Sequence, residues 1–373
     1  MGFTTPCYVI DLDRLSRNLD NISKLQQQSG CKVLLALKGF SMARVLPFIL
    51  KRLDGLSASG AFEAKLGKEF QAVVSTFAPV YPPETFQTVV ETSNMVVFNS
   101  INQYQEFSSV ARQYGVSCGI RINPQYSELS ENFGANPCRR YSHLGVTRET
   151  LSHPEFFRTE KIEGIHLHTM CAQGADTLRR TIQQLMERFD PFLENVSWIN
   201  LGGGQLYGAD DYNMDLAIQS INALKEKYPC SIFVEPCEGI LTQSGALVTR
   251  VLDVVHNDMD IAILDSSAIC HLSDAVYRGW TREVLGGGQV SQYAYNFRLA
   301  GCSCYAGDIF GDYSFPAPLQ AGDLVVFQDS AIYSSVKACM FNGIPLPRTA
   351  VYSKRGGFQM QTEYGYDVFR RTL

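Results

Sequence analysis

Long apolar runs are missing from this chain. Nothing approaches the ~18 consecutive residues that a transmembrane helix needs, so no membrane span is expected. An excess of basic charge is missing too. Lysine and arginine number 32 against 37 acidic residues, a formal charge of -5, and neither nucleic acid nor an anionic membrane is an expected partner. There is no CxxC and no paired cysteine framework, although cysteines number 11; they fall at apolar or mid-element positions such as Cys31, Cys118 and Cys270. No secretory leader is read ahead of Thr4-Thr5-Pro6, so reduced thiols in a cytoplasmic protein are expected. Internal repeats and low-complexity segments are absent as well. What remains is an ordinary globular composition, 45% hydrophobic and 18% charged, long enough for two domains or a large barrel with an appendage.

The strongest pattern present is alternation. Eight candidate strands occur at 32–37, 54–59, 71–78, 95–100, 118–123, 164–170, 198–204 and 231–236. Helical periodicity fills most of the gaps, at 42–53, 61–69, 83–91, 101–114, 177–193 and 215–228. Eightfold strand–helix alternation is the signature of a parallel (β/α)8 barrel. The gap from Asn123 to Glu163, punctuated by Pro124, Pro137 and Pro154, reads as a long loop over the barrel mouth with room for a short helix. After about residue 245 helical periodicity fades, and extended runs appear at 247–255, 260–265, 292–300 and 323–328. The expected fold is therefore α/β, a TIM barrel over 14–245 plus a C-terminal β-rich domain over 246–373. The extra opening strand Cys7-Tyr8-Val9-Ile10 places residues 1–13 with that second domain.

Active sites of such barrels lie at the C-terminal ends of the strands. Lys38 closes the apolar run from Lys32 to Leu37, just before Gly39. An ammonium there loses hydration, its pKa falls, and the amine becomes a nucleophile able to form a Schiff base; a snorkelling strand-end lysine is the plainer alternative. In Gly164-Ile165-His166-Leu167-His168 the histidines at i and i+2 share one strand face. That spacing suits a metal pair or a hydrogen-bonded interior pair equally well. Leu201-Gly202-Gly203-Gly204 ends the seventh strand, where consecutive backbone N–H groups could cradle phosphate or simply form a turn. The second triplet, Gly286-Gly287-Gly288, lies among polar residues and reads as a loop.

Val234-Glu235-Pro236-Cys237-Glu238-Gly239 ends the eighth strand, the proline fixing the turn and leaving Glu235 toward the mouth. Further on, Gly301 to Asp308 and Gly311-Asp312-Tyr313 form a turn-rich loop that carries the thiol of Cys304 and two acids; Tyr333 and Phe341-Asn342-Gly343 follow. A strand-end lysine, a glycine cradle, a strand-end carboxylate and a flat histidine around one cavity match pyridoxal phosphate. That cofactor needs an amine for its aldehyde, N–H donors for its phosphate, an anion for its pyridine nitrogen and a face for its ring.

Over essentially its whole length the chain resembles the fold type III pyridoxal-phosphate enzymes, the alanine racemase-like group that includes ornithine and diaminopimelate decarboxylases. Within the group it is similar to the carboxynorspermidine/carboxyspermidine decarboxylases. The likeness is carried by Thr5-Pro6-Cys7-Tyr8-Val9-Ile10-Asp11, Ala36-Leu37-Lys38, Arg121-Ile122-Asn123-Pro124, Cys304 to Asp308 with Gly311-Asp312-Tyr313, and Lys337 to Gly343. The resemblance implies a pyridoxal-phosphate carboxy-lyase with Lys38 as Schiff-base lysine and His168 stacked on the ring. It implies Gly202, Gly203, Gly204 and Tyr333 at the phosphate, Glu235 at the pyridine nitrogen, and Cys304 as proton donor after decarboxylation. It also implies a homodimer whose cysteine loop reaches a neighbouring subunit's site, and no metal ion.

The chain departs from that pattern in places. Related decarboxylases carry Glu-Pro-Gly-Arg, where this chain has Glu235-Pro236-Cys237-Glu238, and Cys171-Ala172-Gln173 lacks an expected acid near Ala172. An acid in place of arginine favours a substrate that ends in ammonium groups over one that ends in a carboxylate. Glu238, Asp308 and Asp312 are thus expected to bind a carboxylated polyamine, carboxynorspermidine or carboxyspermidine, a solvated acidic rim being the plainer alternative. Decarboxylation of diaminopimelate or another basic amino acid is the nearest alternative. A metal-dependent barrel hydrolase using His166 and His168, and a non-catalytic cofactor-binding protein, are the others.

Overall fold

The computed structural model describes residues 4–151 and 153–373. Residues 1–3, assigned above to the β-rich domain, and residue 152 of the long loop lie outside the described residues. Two compact units are present: Arg17–Ile240, and the residues up to Ser16 together with Leu241–Leu373. In chain order the strands are β1 (Cys7–Asp11), β2 (Lys32–Ala36), β3 (Gly55–Ala58), β4 (Val73–Phe77), β5 (Met95–Phe98), β6 (Ser117–Asn123), β7 (Val146–Thr147), β8 (Gly164–His166), β9 (Trp198–Asn200), β10 (Ser231–Val234), β11 (Gly245–Asn257), β12 (Met259–Leu264), β13 (Tyr295–Ala300), β14 (Ile309–Phe315), β15 (Leu324–Gln328), β16 (Arg348–Ser353) and β17 (Gly357–Thr362).

In the first unit β2 to β6 and β8 to β10 pair in parallel, and β5 bonds to β6 to close the ring. This is the (β/α)8 barrel that the alternation predicts. The helix expected over 42–53 is confined to Leu46–Leu50, because Pro47 in its first turn suits a helix start rather than an interior. A helix over Leu12–Ser29, absent from the expectation, precedes β2. Its first turn is capped by Asp11, whose Oδ1 accepts the N–H groups of Asp13 at 2.9 Å and Arg14 at 3.0 Å. Leu15, Leu19, Ile22 and Leu25 form its fully buried stripe. The long loop after β6 is tied to the barrel mouth: Ser127 Oγ donates to the Thr169 carbonyl, and Asn99, just past β5, holds His143 and Gly145. Within it β7 pairs with Ile122–Asn123, and a short helix spans Glu155–Thr159. No helix among the described residues is long and apolar enough to cross a membrane.

Strand alternation sorts the barrel's inward side chains into layers. The lower layer is apolar: Leu34, Met95, Val97, Trp198 and Phe233 form one cluster, with Phe77 packed against it. Trp198 fills the floor because its neighbours have no side chains. A Cβ on Gly164 would lie 2.0 Å from its ring, and one on Gly119 2.2 Å away. The indole Nε1 donates to Ser117 Oγ at 2.8 Å.

The second unit is built on the long strand β11. Its first half is antiparallel to β1 and β15, and its second half pairs with β12. On one side β1 continues to β16 and β17; on the other β12 continues to β13 and β14. Strands β14, β16 and β17 fall outside the extended runs read from the sequence. β14 escapes notice because Gly311 and Asp312 interrupt it with residues that strands disfavour.

Gly164→Ala tests the floor of the barrel. Overpacking against Trp198 should cost about 1–3 kcal/mol, read as a lower urea midpoint with an unchanged slope, whereas Gly174→Ala, which meets nothing within 4 Å, should leave the midpoint in place.

Candidate active site

Two residues beyond the apolar layer, the same inward faces turn polar. Leu34 is followed on its face by Ala36 and Lys38, Gly119 by Arg121, Gly164 by His166, Trp198 by Asn200, and Phe233 by Glu235. All stand at or just past the C-terminal ends of their strands. Glu235 is the centre of this layer. Its Oε1 accepts from Asn200 Nδ2 at 2.7 Å, its Oε2 accepts from His166 Nε2 at 3.3 Å, and its backbone N–H donates to the Gly202 carbonyl at 2.7 Å. The His166 ring stacks on Phe77 with centroids 5.4 Å apart, and the Arg121 guanidinium covers the Phe77 ring at 4.6 Å.

The charges follow from this packing. Burial pushes the Glu235 pKa up, but the hydrogen bond and charge of His166, the Asn200 hydrogen bond and the charge of Lys38 outweigh it and hold the carboxyl at about 2. Burial drives His166 down, against the pull of Glu235. His166 meets Glu235 through its Nε2–H. Its Nδ1 has no hydrogen-bond partner among the described residues. Lys38 is reached by solvent yet closely surrounded; desolvation lowers its pKa, with Arg121 adding to the effect and Glu235 opposing it. Arg121, 4% exposed, is lowered by desolvation to about 10.

Strand β8 ends at His166 rather than running to residue 170, so His168 stands on the loop beyond it. Its Nδ1 accepts the Gly203 N–H at 3.1 Å, which leaves the proton on Nε2. Desolvation, then the charges of Lys38 and Arg121, push its pKa well below the ordinary histidine value. The glycine triplet is narrower as a cradle than three consecutive donors would be. The Gly202 N–H donates to Asn200 Oδ1 at 2.9 Å and the Gly203 N–H to His168; among the described residues only the Gly204 N–H of the three has no partner. All three must be glycine for another reason: a Cβ would lie 2.5 Å from the Leu167 carbonyl, 2.3 Å from that of Glu235 and 2.2 Å from that of Met170, respectively. Cys237 is buried, its thiol pKa pushed up by desolvation, and Glu238 opens the short helix Glu238–Leu241.

The remaining expected residues belong to the second unit. Cys304 is exposed on the Gly301–Asp308 loop. Asp308, expected as a substrate acid, closes the same loop. It is 2% exposed, with Oδ1 accepting from Ser267 Oγ and Ile269 N and Oδ2 from Ser303 N, each at 3.1 Å, so its carboxylate serves the loop. Asp312 is paired: Arg298 grips both its oxygens, at 2.7 and 2.8 Å, and the Arg298 hydrogen bond lowers its pKa. Tyr333 has φ 59° and carries Lys337 over its ring at 5.6 Å.

Sequence reasoning missed four residues of the barrel site. Asn200 is a polar strand end directly before the glycine triplet, Arg121 a lone cation in an apolar strand, and Phe77 a strand-end aromatic. Glu63 on the next helix acts electrostatically on Lys38 and had no signal of its own.

A folded-state pKa of about 2 against 4.5 means that Glu235 contributes stability above about pH 4.5 and loses it as pH falls toward 2. The stability gap between wild type and Glu235→Gln, followed by urea unfolding, should therefore be fully present at pH 6 and should shrink as pH falls through that window.

Comparison with known proteins identifies the arrangement. The family model for the pyridoxal-dependent decarboxylase, C-terminal sheet domain, matches residues 7–331. A carboxynorspermidine/carboxyspermidine decarboxylase of Campylobacter jejuni is 32% identical over 97% of this chain and 96% of its own length. A carboxyaminopropylagmatine decarboxylase of Synechocystis is 33% identical over 99% and 95%. The crystal structure of the Campylobacter jejuni carboxynorspermidine decarboxylase complexed with norspermidine superposes with a TM-score of 0.92 at 30% identity, covering 100% of both chains. With a closed barrel, a mixed-sheet unit and full-length relatives at this identity, the chain belongs to the pyridoxal-dependent decarboxylases and uses pyridoxal phosphate.

Proposed function

We propose that this enzyme decarboxylates a carboxylated polyamine, carboxynorspermidine or carboxyspermidine, giving norspermidine or spermidine. One observation carries the chemistry: an amine of lowered pKa, Lys38, shares a barrel mouth with a carboxylate held ionised down to about pH 2, Glu235. The substrate class is supported by Glu238 standing where related enzymes carry arginine, and by the names of the relatives above 30% identity.

The residues fit the cofactor. Glu235 holds one donor on each oxygen, and a carboxylate has lone pairs to take a third. The glycine triplet brings backbone where no Cβ could pass, and the Gly204 N–H is available to phosphate. Pyridoxal phosphate, when bound, is the electron sink for the pair that departing carbon dioxide leaves behind. Lys38 is the covalent anchor, and Glu235 keeps a proton at the ring nitrogen. The tautomer of His168, set by Gly203, presents a neutral flat face to the ring. We assign Gly202, Gly203 and Gly204 with Tyr333 to the phosphate end, Glu238 to a substrate ammonium, and Cys304 to returning a proton to the carbon that lost its carboxylate. Asp308 and Asp312 stay in this reading as further acids for the substrate's ammonium groups, each carboxylate having lone pairs beyond those its present partners use. Our reading includes a homodimer in which Cys304 serves the neighbouring subunit's barrel, and a cytoplasmic location consistent with reduced thiols.

Lys38→Ala should abolish turnover and the borohydride-sensitive absorbance band of the purified enzyme; near-normal activity in that variant would overturn the assignment. In a substrate panel, kcat/KM for carboxyspermidine or carboxynorspermidine should exceed that for diaminopimelate by ~10²-fold or more, while the two triamines, one methylene apart, should differ by ~10-fold. Carboxyaminopropylagmatine belongs in the same panel, and a clear preference for it would move the substrate to a guanidinium-ended polyamine.

A further inference from the structure

The Gly301–Asp308 loop is held from within. The buried Asp308 carboxylate binds Ser303, Ser267 and Ile269, the Gly301 N–H donates to the Asp308 carbonyl at 2.7 Å, and Cys302 N–H donates to the Ser266 carbonyl at 3.0 Å. None of these contacts reaches the thiol of Cys304. That contact comes from Asn342, on the turn Phe341–Gly343. Its Oδ1 accepts the backbone N–H of Cys304 at 3.2 Å and lies 3.1 Å from Cys304 Sγ. A backbone N–H can only donate, so the amide atom facing it is oxygen, and that same oxygen can only accept from the sulfur. Asn342 adopts φ 57° and ψ 15°, the left-handed region that few non-glycine residues enter.

We propose that Asn342 is a positioning residue that aims the Cys304 thiol for proton return. The proposal rests on the reading of Cys304 as the proton donor. In that step the single S–H proton swings from the Asn342 oxygen to the substrate carbon, the S–H bond breaks with its electron pair staying on sulfur, and water reprotonates the thiolate and leaves hydroxide to the solvent. Without the Asn342 oxygen the thiol turns among its staggered positions, and the loop loses a contact to its tip. A purely conformational role for Asn342 makes the opposite forecast. Glycine suits a left-handed turn better than asparagine, so Asn342→Gly would then be harmless. Positioning needs an acceptor oxygen, which Asn342→Asp keeps and Asn342→Gly lacks.

The test compares wild-type holoenzyme with Asn342→Gly, Asn342→Asp, Cys304→Ala and the Asn342→Gly/Cys304→Ala double variant. Turnover of carboxyspermidine is measured beside the iodoacetamide labelling rate of Cys304, followed by peptide mass spectrometry. Asn342→Gly should lower kcat about tenfold with KM little changed and should label Cys304 several-fold faster. Asn342→Asp should retain most of the wild-type kcat and label slowly, and the double variant should be no slower than Cys304→Ala. Wild-type turnover and labelling in Asn342→Gly, or equal impairment in both Asn342 variants, would overturn the proposal while a slow Cys304→Ala left the donor assignment standing. Full turnover in Cys304→Ala would overturn the donor assignment and this inference with it.

Discussion

A carboxylate buried at the mouth of the barrel is the interaction on which this site depends. Glu235 remains charged only because donors and cations converge on it, since a buried ion without partners would take up a proton instead. His166 and Asn200 supply the donors, and Lys38 a positive charge. Asn200 serves two masters: its Nδ2 binds Glu235 while its Oδ1 fixes the Gly202 N–H. The anion is thereby coupled to the glycine triplet, and through Gly203 to the tautomer of His168. Charge, ring orientation and backbone path form one hydrogen-bonded assembly.

The barrel makes that assembly possible by its period of two. Strands β6, β8, β9 and β10, together with the chain from β2 to Lys38, each carry an apolar or absent side chain below and a polar one above. Trp198 and the two glycines beside it close the floor, so the polar layer rests on a packed base. The second unit uses the same economy elsewhere. A buried aspartate, Asp308, organises a turn-rich loop so that its tip can present an exposed thiol.

Much of this was legible beforehand. The eightfold alternation announced the barrel, and Lys38, Gly202 to Gly204 and Glu235 were expected just past strand ends, where the structure has them. Other residues were hidden for physical reasons. The Leu12–Ser29 helix lies ahead of the first barrel strand, where alternation has nothing to count. Arg121 and Asn200 are single polar residues in apolar strands, and only ring closure shows that both look inward. Nothing in the spelling of Asp308 or Asp312 tells whether a carboxylate meets solvent, a backbone N–H or the Arg298 guanidinium.

The sequence by itself determined the fold class, the cofactor and the strand ends that carry the chemistry, because each is written in local periodicity or in residue type at an element's end. Tertiary structure alone decided which groups are partnered. It gave His166 to Glu235, Gly203 to His168, Arg298 to Asp312 and Asn342 to Cys304. These pairs lie between 14 and 69 residues apart in the chain, and their hydrogen bonds exist only once strands and turns distant in sequence are brought within about 3 Å of one another.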